Sequence, residues 1–201
     1  VADDTIAPDG LDEYDLYQGT SMSSPHNAGS GALLKALHPD WSPAAIKSAI
    51  MLTSYDDTVL APDGVTPAGP FNMGSGRIQL EMAGLTGLVL DETYANFLAA
   101  DPADGGDVRA LNLASLYNSA CVVNCTWVRT FTSVAETSAT YVATVDAPVG
   151  LDITVTPDTF TIAPGATQVV TITANVETLP LDAYAFATIN FDTDDAHLGD
   201  G

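Results

Sequence analysis

The sequence predicts a chain of two segments: an α/β-type segment represented by two helices, then an all-β antiparallel sandwich. Two observations predict it. Up to about residue 54, apolar residues recur at three- and four-residue steps, and beyond about residue 108 the period changes to two. A third agrees with them: 201 residues suit two small folding units, and 46% hydrophobic with only 15% charged residues is a globular rather than a disordered composition.

Residues 1 to about 18 are acidic and turn-rich and lead through Leu16-Tyr17 into Gly19. From Pro25 to Leu37, the spacing of Ala28, Ala32, Leu33 and Ala36 predicts a helix. Gly29 and Gly31 inside it each cost about 1 kcal/mol relative to alanine, so the helix is expected to be central and buried, with neighbouring backbone packed close to it. Pro39 ends it. Ser42 and Pro43 read as the N-cap and first residue of a second helix, about 43 to 54, with Ile46, Ala49, Ile50 and Thr53 on one face. A Pro- and Gly-rich loop, DTVLAPDGVTPAGPFNMGSG, follows without a period, then a short helical segment near Glu81 to Gly84.

The second segment alternates apolar residues with Thr, Asp and Ser: Leu111/Leu113, Trp127/Arg129/Phe131, Tyr141/Ala143/Val145, Leu151/Ile153/Val155, Phe160/Ile162, Val170/Ile172/Ala174/Val176 and Ala185/Ala187/Ile189/Phe191. Turn signals such as Thr156-Pro157-Asp158 and Ala163-Pro164-Gly165 separate them. About seven short strands make a sandwich of immunoglobulin or fibronectin type. The expected limits are 1–92 for the α/β-type segment, 93–107 for a linker, 108–195 for the sandwich and 196–201 for an acidic tail.

The charge balance excludes some function classes. With 26 acidic residues against five Lys and Arg, the net charge is -21, which disfavours nucleic acid and anionic membrane as partners. No apolar run is long enough to span a bilayer. Cys121 and Cys125, in CVVNC, cannot complete a four-ligand zinc site. They are either a local disulfide, which needs an oxidising compartment and is the expectation, or two unpaired thiols. The acidic tail lacks the spacing of a calcium loop, so neither metal nor cofactor is expected.

One stretch carries chemistry. In GTSMSSPHNAG, residues 19–29, Ser21 sits just before the helical pattern, where free N–H groups and the helix dipole favour developing negative charge. A serine hydroxyl becomes a nucleophile only beside a base. His26 is the near candidate, but five helical residues rotate it about 140° away from Ser21, so it reads as structural. His38 lies at the far end of the helix and His197 in the tail, and neither is assigned to catalysis. The nucleophile-elbow pattern G-x-S-x-G fails because Ser23 replaces its last glycine. The residues alone leave Ser21 as either a helix-start serine or a nucleophile.

GTSMSSPHNAG resembles the active-serine signature of the subtilisin-like serine proteases, G-T-S-M-A-x-P-H-V-A-G, with Ser23 for a common alanine and Asn27 for a common valine. LLKALHPDWSPAAIKSAIMLTS and PFNMGSGRIQLEMAGLTGLVLD are similar to the segments that follow in the cucumisin-like branch. WVRTFTSV and ATYVATVDAPVGLDITVTPDTFTIAPGATQVVTITANV resemble its fibronectin-III-like C-terminal domain. The resemblance implies that Ser21 is the nucleophile and that its N–H forms part of the oxyanion hole. It also implies a secreted serine endopeptidase acting on proteins or peptides. In that family the catalytic Asp and His and the oxyanion Asn precede the serine, so the upstream part of the same protease is the implied partner. The expected fold class is therefore the C-terminal part of a subtilisin-like parallel-sheet domain followed by a fibronectin-III-like sandwich. Alone, the chain is expected to be inactive and, with its helix unsheltered, to self-associate. The alternative is a non-catalytic binding module whose sandwich mediates partner contacts or dimerisation.

Overall fold

The computed structural model describes residues 19–56, 59–193 and 195. The expectations for residues 1–18 and for the acidic tail with His197 lie outside the described residues. Two compact units divide the chain, Val1–Pro39 and Asp40–Gly201.

The described portion of the first unit is helix α1, Thr20–Leu37, which begins ahead of the expected Pro25. Pro25 removes one ladder bond and its ring crowds the Ser21 carbonyl, but both effects fall within the opening turns, which still form with Gly19 supplying the entry. The burial expected of a central helix is not found, whereas the apolar exposure expected for the chain alone is. Leu34 is buried, but Leu33 and Leu37 are 61% and 62% exposed, and a Cβ built on Gly29 would meet nothing within 4 Å. A helical period marks an apolar face; burying that face takes a second surface, which local spacing does not encode.

The second unit opens with α2, Pro43–Leu52, capped as expected: the Ser42 hydroxyl accepts from the Ala45 N–H at 3.0 Å. Antiparallel pairing of Tyr55 with Arg77 then closes the Pro/Gly-rich loop. Gly76 there has φ 119°, and a Cβ on it would lie 2.6 Å from the Tyr55 carbonyl oxygen, so both conformation and space require glycine. The short helices α3, Pro70–Met73, and α4, Leu80–Leu85, follow.

Among the described residues, seven strands form two antiparallel sheets. They are β1 (Leu88–Leu90), β2 (Asn124–Ser133), β3 (Ala139–Asp146), β4 (Asp152–Thr156), β5 (Thr159–Ile162), β6 (Thr167–Asn175) and β7 (Thr188–Thr193). One sheet runs β1-β2-β6-β4 and the other β5-β3-β7. Between them lies a core that includes Trp127, Phe131, Tyr141, Phe160, Val170 and Phe191. This is a helical segment followed by an all-β sandwich, the fold class the two periods predict.

Two strands differ from the periodic reading. Leu111/Leu113 form no strand, whereas Leu88–Leu90, which fall inside the limits expected for the α/β-type segment, form one. All three residues of β1 are buried, so no alternation marks it. Leu88 and Leu90 join the sandwich core, while Val89 packs with Ala45 and Ala49 of α2. The Leu90 N–H donates to the Ser48 hydroxyl at 2.9 Å, and the Ser42 hydroxyl donates to the Asp91 carboxylate. Helix α2 thereby covers the outer edge of β1, an edge that would otherwise offer unpaired backbone. At the other end, the expected alternation through Ala185 and Ala187 enters the sheet only from Thr188, leaving Tyr184 and Phe186 exposed.

Cys121 and Cys125 are joined in a disulfide at the start of β2. The bridge closes a sequence separation of only 4, so reduction is expected to lower stability by at most about 2 kcal/mol in the chain-entropy model. Urea melts with and without a thiol reductant measure this, and a much larger loss would mean that the loop does more than limit the unfolded chain.

The segment between β1 and β2 is tied down by one buried cation. Arg129 faces inward with Trp127 and Phe131 and is 3% exposed. Its guanidinium donates to the carbonyls of Leu113 at 2.6 Å, Val128 at 2.8 Å, and Arg109 and Ser115 at 3.2 Å. The Asn112 side chain completes the tie, donating to the Thr130 carbonyl at 2.8 Å and accepting from the Thr130 N–H at 2.8 Å. Glu92 accepts from the N–H groups of Asn112 and Thr93, both at 2.7 Å, and from the Asn96 side chain at 2.6 Å.

Burial pushes the Glu92 carboxyl up, but these donors and the positive charge of Arg129 outweigh it and hold the group below its ordinary value. With the folded value lowered, Glu92's stabilisation is complete above the ordinary carboxylate range and is lost as pH falls through the lowered value. Glu92→Gln is therefore expected to flatten the acid limb of a Tm-against-pH curve. An unchanged acid limb would count against this role.

Candidate active site

Gly19 takes φ 141°, a conformation that side chains rarely adopt, and turns the chain into α1. The Met22 and Ser23 N–H groups donate back to the Gly19 carbonyl at 3.0 and 3.1 Å. The N–H groups of Thr20 and Ser21 therefore belong to the opening turn, where the helix ladder supplies no acceptor. Ser21 is the second residue of the helix and is exposed.

The polar side chains that follow are turned back onto the helix. Ser23 donates to the Gly19 carbonyl at 3.3 Å and Asn27 to the Ser23 carbonyl at 3.2 Å. His26 Nδ1 lies 2.6 Å from the Met22 carbonyl oxygen. A carbonyl only accepts, so Nδ1 is the donor in this bond. Ser21, by contrast, makes no hydroxyl hydrogen bond with a described residue.

Pro25 adds a feature that the sequence reading did not use. It lies four residues after Ser21, so the Ser21 carbonyl loses the N–H that would ordinarily close the turn above it. The turn bearing Ser21 is held to the rest of α1 by one ladder bond fewer. The spacing of Ser21 and Pro25 was the signal available for this.

His38 caps the far end of α1, its N–H donating to the Leu34 carbonyl at 2.8 Å. Among the described residues no group of three or more His, Cys, Asp or Glu side chains could hold a metal ion. Chemically, the site presents an exposed hydroxyl at the positive end of a helix dipole beside first-turn N–H groups. That arrangement can place an attacking oxygen next to donors for an anion.

Comparison with known proteins adds the family. Residues 6–76 match the subtilase family and residues 110–198 match a fibronectin type-III domain. Subtilisin-like protease SBT2.5 of Arabidopsis thaliana is 33% identical over 228 residues, covering 90% of this chain and 27% of the relative. SBT2.6 of the same plant is 32% identical, covering 88% and 25%, and SBT5.6 is 48% identical over 89 residues, covering 42% and 11%. The chain thus spans about a quarter of the length of the curated relatives that match most of it. Residues 6–76 are a subtilase segment and residues 110–198 a fibronectin type-III domain, so the chain corresponds to a portion of plant-type subtilisin-like proteases.

Proposed function

We propose that Ser21 is the nucleophile of a secreted serine endopeptidase whose remaining catalytic residues lie in the upstream part of the same protease. In this reading the Ser21 hydroxyl attacks a peptide carbonyl while a histidine from that upstream part takes its proton. The histidine returns the proton to the departing amine, and water then hydrolyses the acyl-enzyme. The Ser21 N–H, in the opening turn of α1, donates to the oxyanion with an upstream asparagine as the second donor. Substrates are proteins or peptides.

The observation that carries the proposal is GTSMSSPHNAG inside the subtilase match, with Ser21 exposed at the second position of a helix entered through Gly19. The disulfide accords with an oxidising, extracellular setting. The isolated chain is inert in this reading, because His26 is held against its own helix by the Met22 carbonyl and lies about 140° around it from Ser21.

A fluorophosphonate probe tests both halves of the proposal. The whole protease is expected to be labelled at Ser21, and the 201-residue chain alone is expected to take up no probe. Labelling of the isolated chain would show a base within it, and a whole protease that takes no label would favour the non-catalytic binding module.

A further inference from the structure

The sandwich unit carries a cluster of aromatic rings that neither the core nor the proposed active site uses. Phe71 stands edge-to-face with both Tyr184 and Phe186, at centroid distances of 4.9 and 5.1 Å and interplanar angles of 89° and 88°. Tyr184 and Phe186 lie within 17° of parallel, and Tyr117 stacks on Tyr184 at 6.3 Å with the two phenol oxygens 3.3 Å apart. The rings support one another and yet remain 41% to 64% exposed. Beside them, Pro148, Leu179 and Pro180 complete an apolar cleft of about 420 Å³.

Charge identifies what such a surface would take. From residue 130 to the end, the sequence contains no Lys or Arg. Exposed carboxylates at Asp146, Glu177 and Asp182 stand two residues from Pro148, Leu179 and Tyr184 respectively. Of the nearest cations in sequence, Arg129 is buried on backbone carbonyls, Arg109 is paired with Asp107 at 2.8 Å, and Arg77, six residues from Phe71, is exposed. The ring faces thus lie in a region where carboxylates outnumber cations, and a ring face attracts a cation through its quadrupole. A second copy of this chain is the wrong occupant, since each copy carries a net charge of -21.

We infer that the Phe71/Tyr117/Tyr184/Phe186 cluster is a docking surface for a basic polypeptide segment, whose arginine or lysine side chains lie on the ring faces while its apolar residues fill the cleft. The inference does not depend on the role of Ser21.

Fluorescence anisotropy on the 201-residue chain tests it with a labelled peptide of arginine, proline and leucine, and with the same peptide carrying glutamine for arginine. Saturable binding of the arginine peptide is expected, weakened by salt, with the glutamine peptide at least tenfold weaker. Phe71→Ala with Tyr184→Ala is expected to weaken binding about tenfold. Glu177→Gln with Asp182→Asn, which leaves the rings intact, is expected to weaken it severalfold, so the test survives if the ring variant folds poorly. Equal affinity of well-folded ring variants would reduce the effect to diffuse charge attraction and overturn the proposal. So would equal binding of the glutamine peptide, or a dimer of the chain that Tyr184→Ala dissociates.

Discussion

Ser21→Ala in the whole protease is expected to lower kcat by about 10⁶-fold, the scale of loss when a serine nucleophile is removed and only binding and oxyanion donors remain. KM should change little, because the methyl group of alanine occupies the same space and the serine is exposed at the helix start. Folding should be unaffected for the same reason: the Ser21 hydroxyl bonds to no described residue, and the turn is held by the Gly19 carbonyl. The comparison that isolates chemistry from local structure is Ser23→Ala, which removes a hydroxyl bonded back to the same carbonyl. It should leave kcat within a small factor of the parent. A Ser21→Ala protease that keeps most of its activity would end the assignment, whereas equal losses in the two variants would point to a role for this turn in folding.

Arg129→Ala is expected to destabilise the sandwich unit by roughly 3 kcal/mol. The side chain is a buried cation whose charge is spread over the carbonyls of Leu113, Val128, Arg109 and Ser115. Removing it leaves these carbonyls without their charged donor, and it frees the segment that crosses from β1 to β2. Arg129→Met keeps the aliphatic stem, so the difference between the two variants separates packing from hydrogen bonding. Arg129→Lys should recover only part of the loss, because an ammonium cannot present a planar fork to several carbonyls at once. Chemical denaturation measures all three, and a loss below about 1 kcal/mol for Arg129→Ala would show that the segment holds without its cation.

The same residue shows where sequence reading stops. Alternation correctly set Trp127, Arg129 and Phe131 on one face of a strand, and β2 bears this out. Period alone could not show that the cation on that face is satisfied by the carbonyls of Arg109, Leu113 and Ser115, more than a dozen residues earlier, because those partners are brought in by the path of the connecting chain. Leu111 and Leu113 read as a strand because they alternate, but their segment bonds to β2 through Arg129 and Asn112 instead. Leu88–Leu90 went unread for the opposite reason: a strand buried on both faces has no alternation to find.

The candidate site divides in the same way. The sequence set Ser21 just before a helix, whereas the helix starts earlier, with Gly19 as its N-cap and Ser21 as its second residue. The sequence also argued against His26 as base from its rotation around the helix, and the structure adds that its Nδ1 is bonded to the Met22 carbonyl. The aromatic cluster was not legible, since Phe71, Tyr117 and Tyr184 are far apart in the chain and meet only after folding.

By itself, then, the sequence determined the division into a helical segment and a sandwich, the helical stretch from Pro25 to Leu37 and the signature around Ser21, all of which rest on spacing within a few residues. The tertiary structure decided that α2 covers the edge of β1, that Arg129 ties down the connecting segment and that four distant rings share one exposed surface. These are pairings between remote segments, whose partners are chosen by which buried polar groups and apolar faces must be satisfied together rather than by any local period.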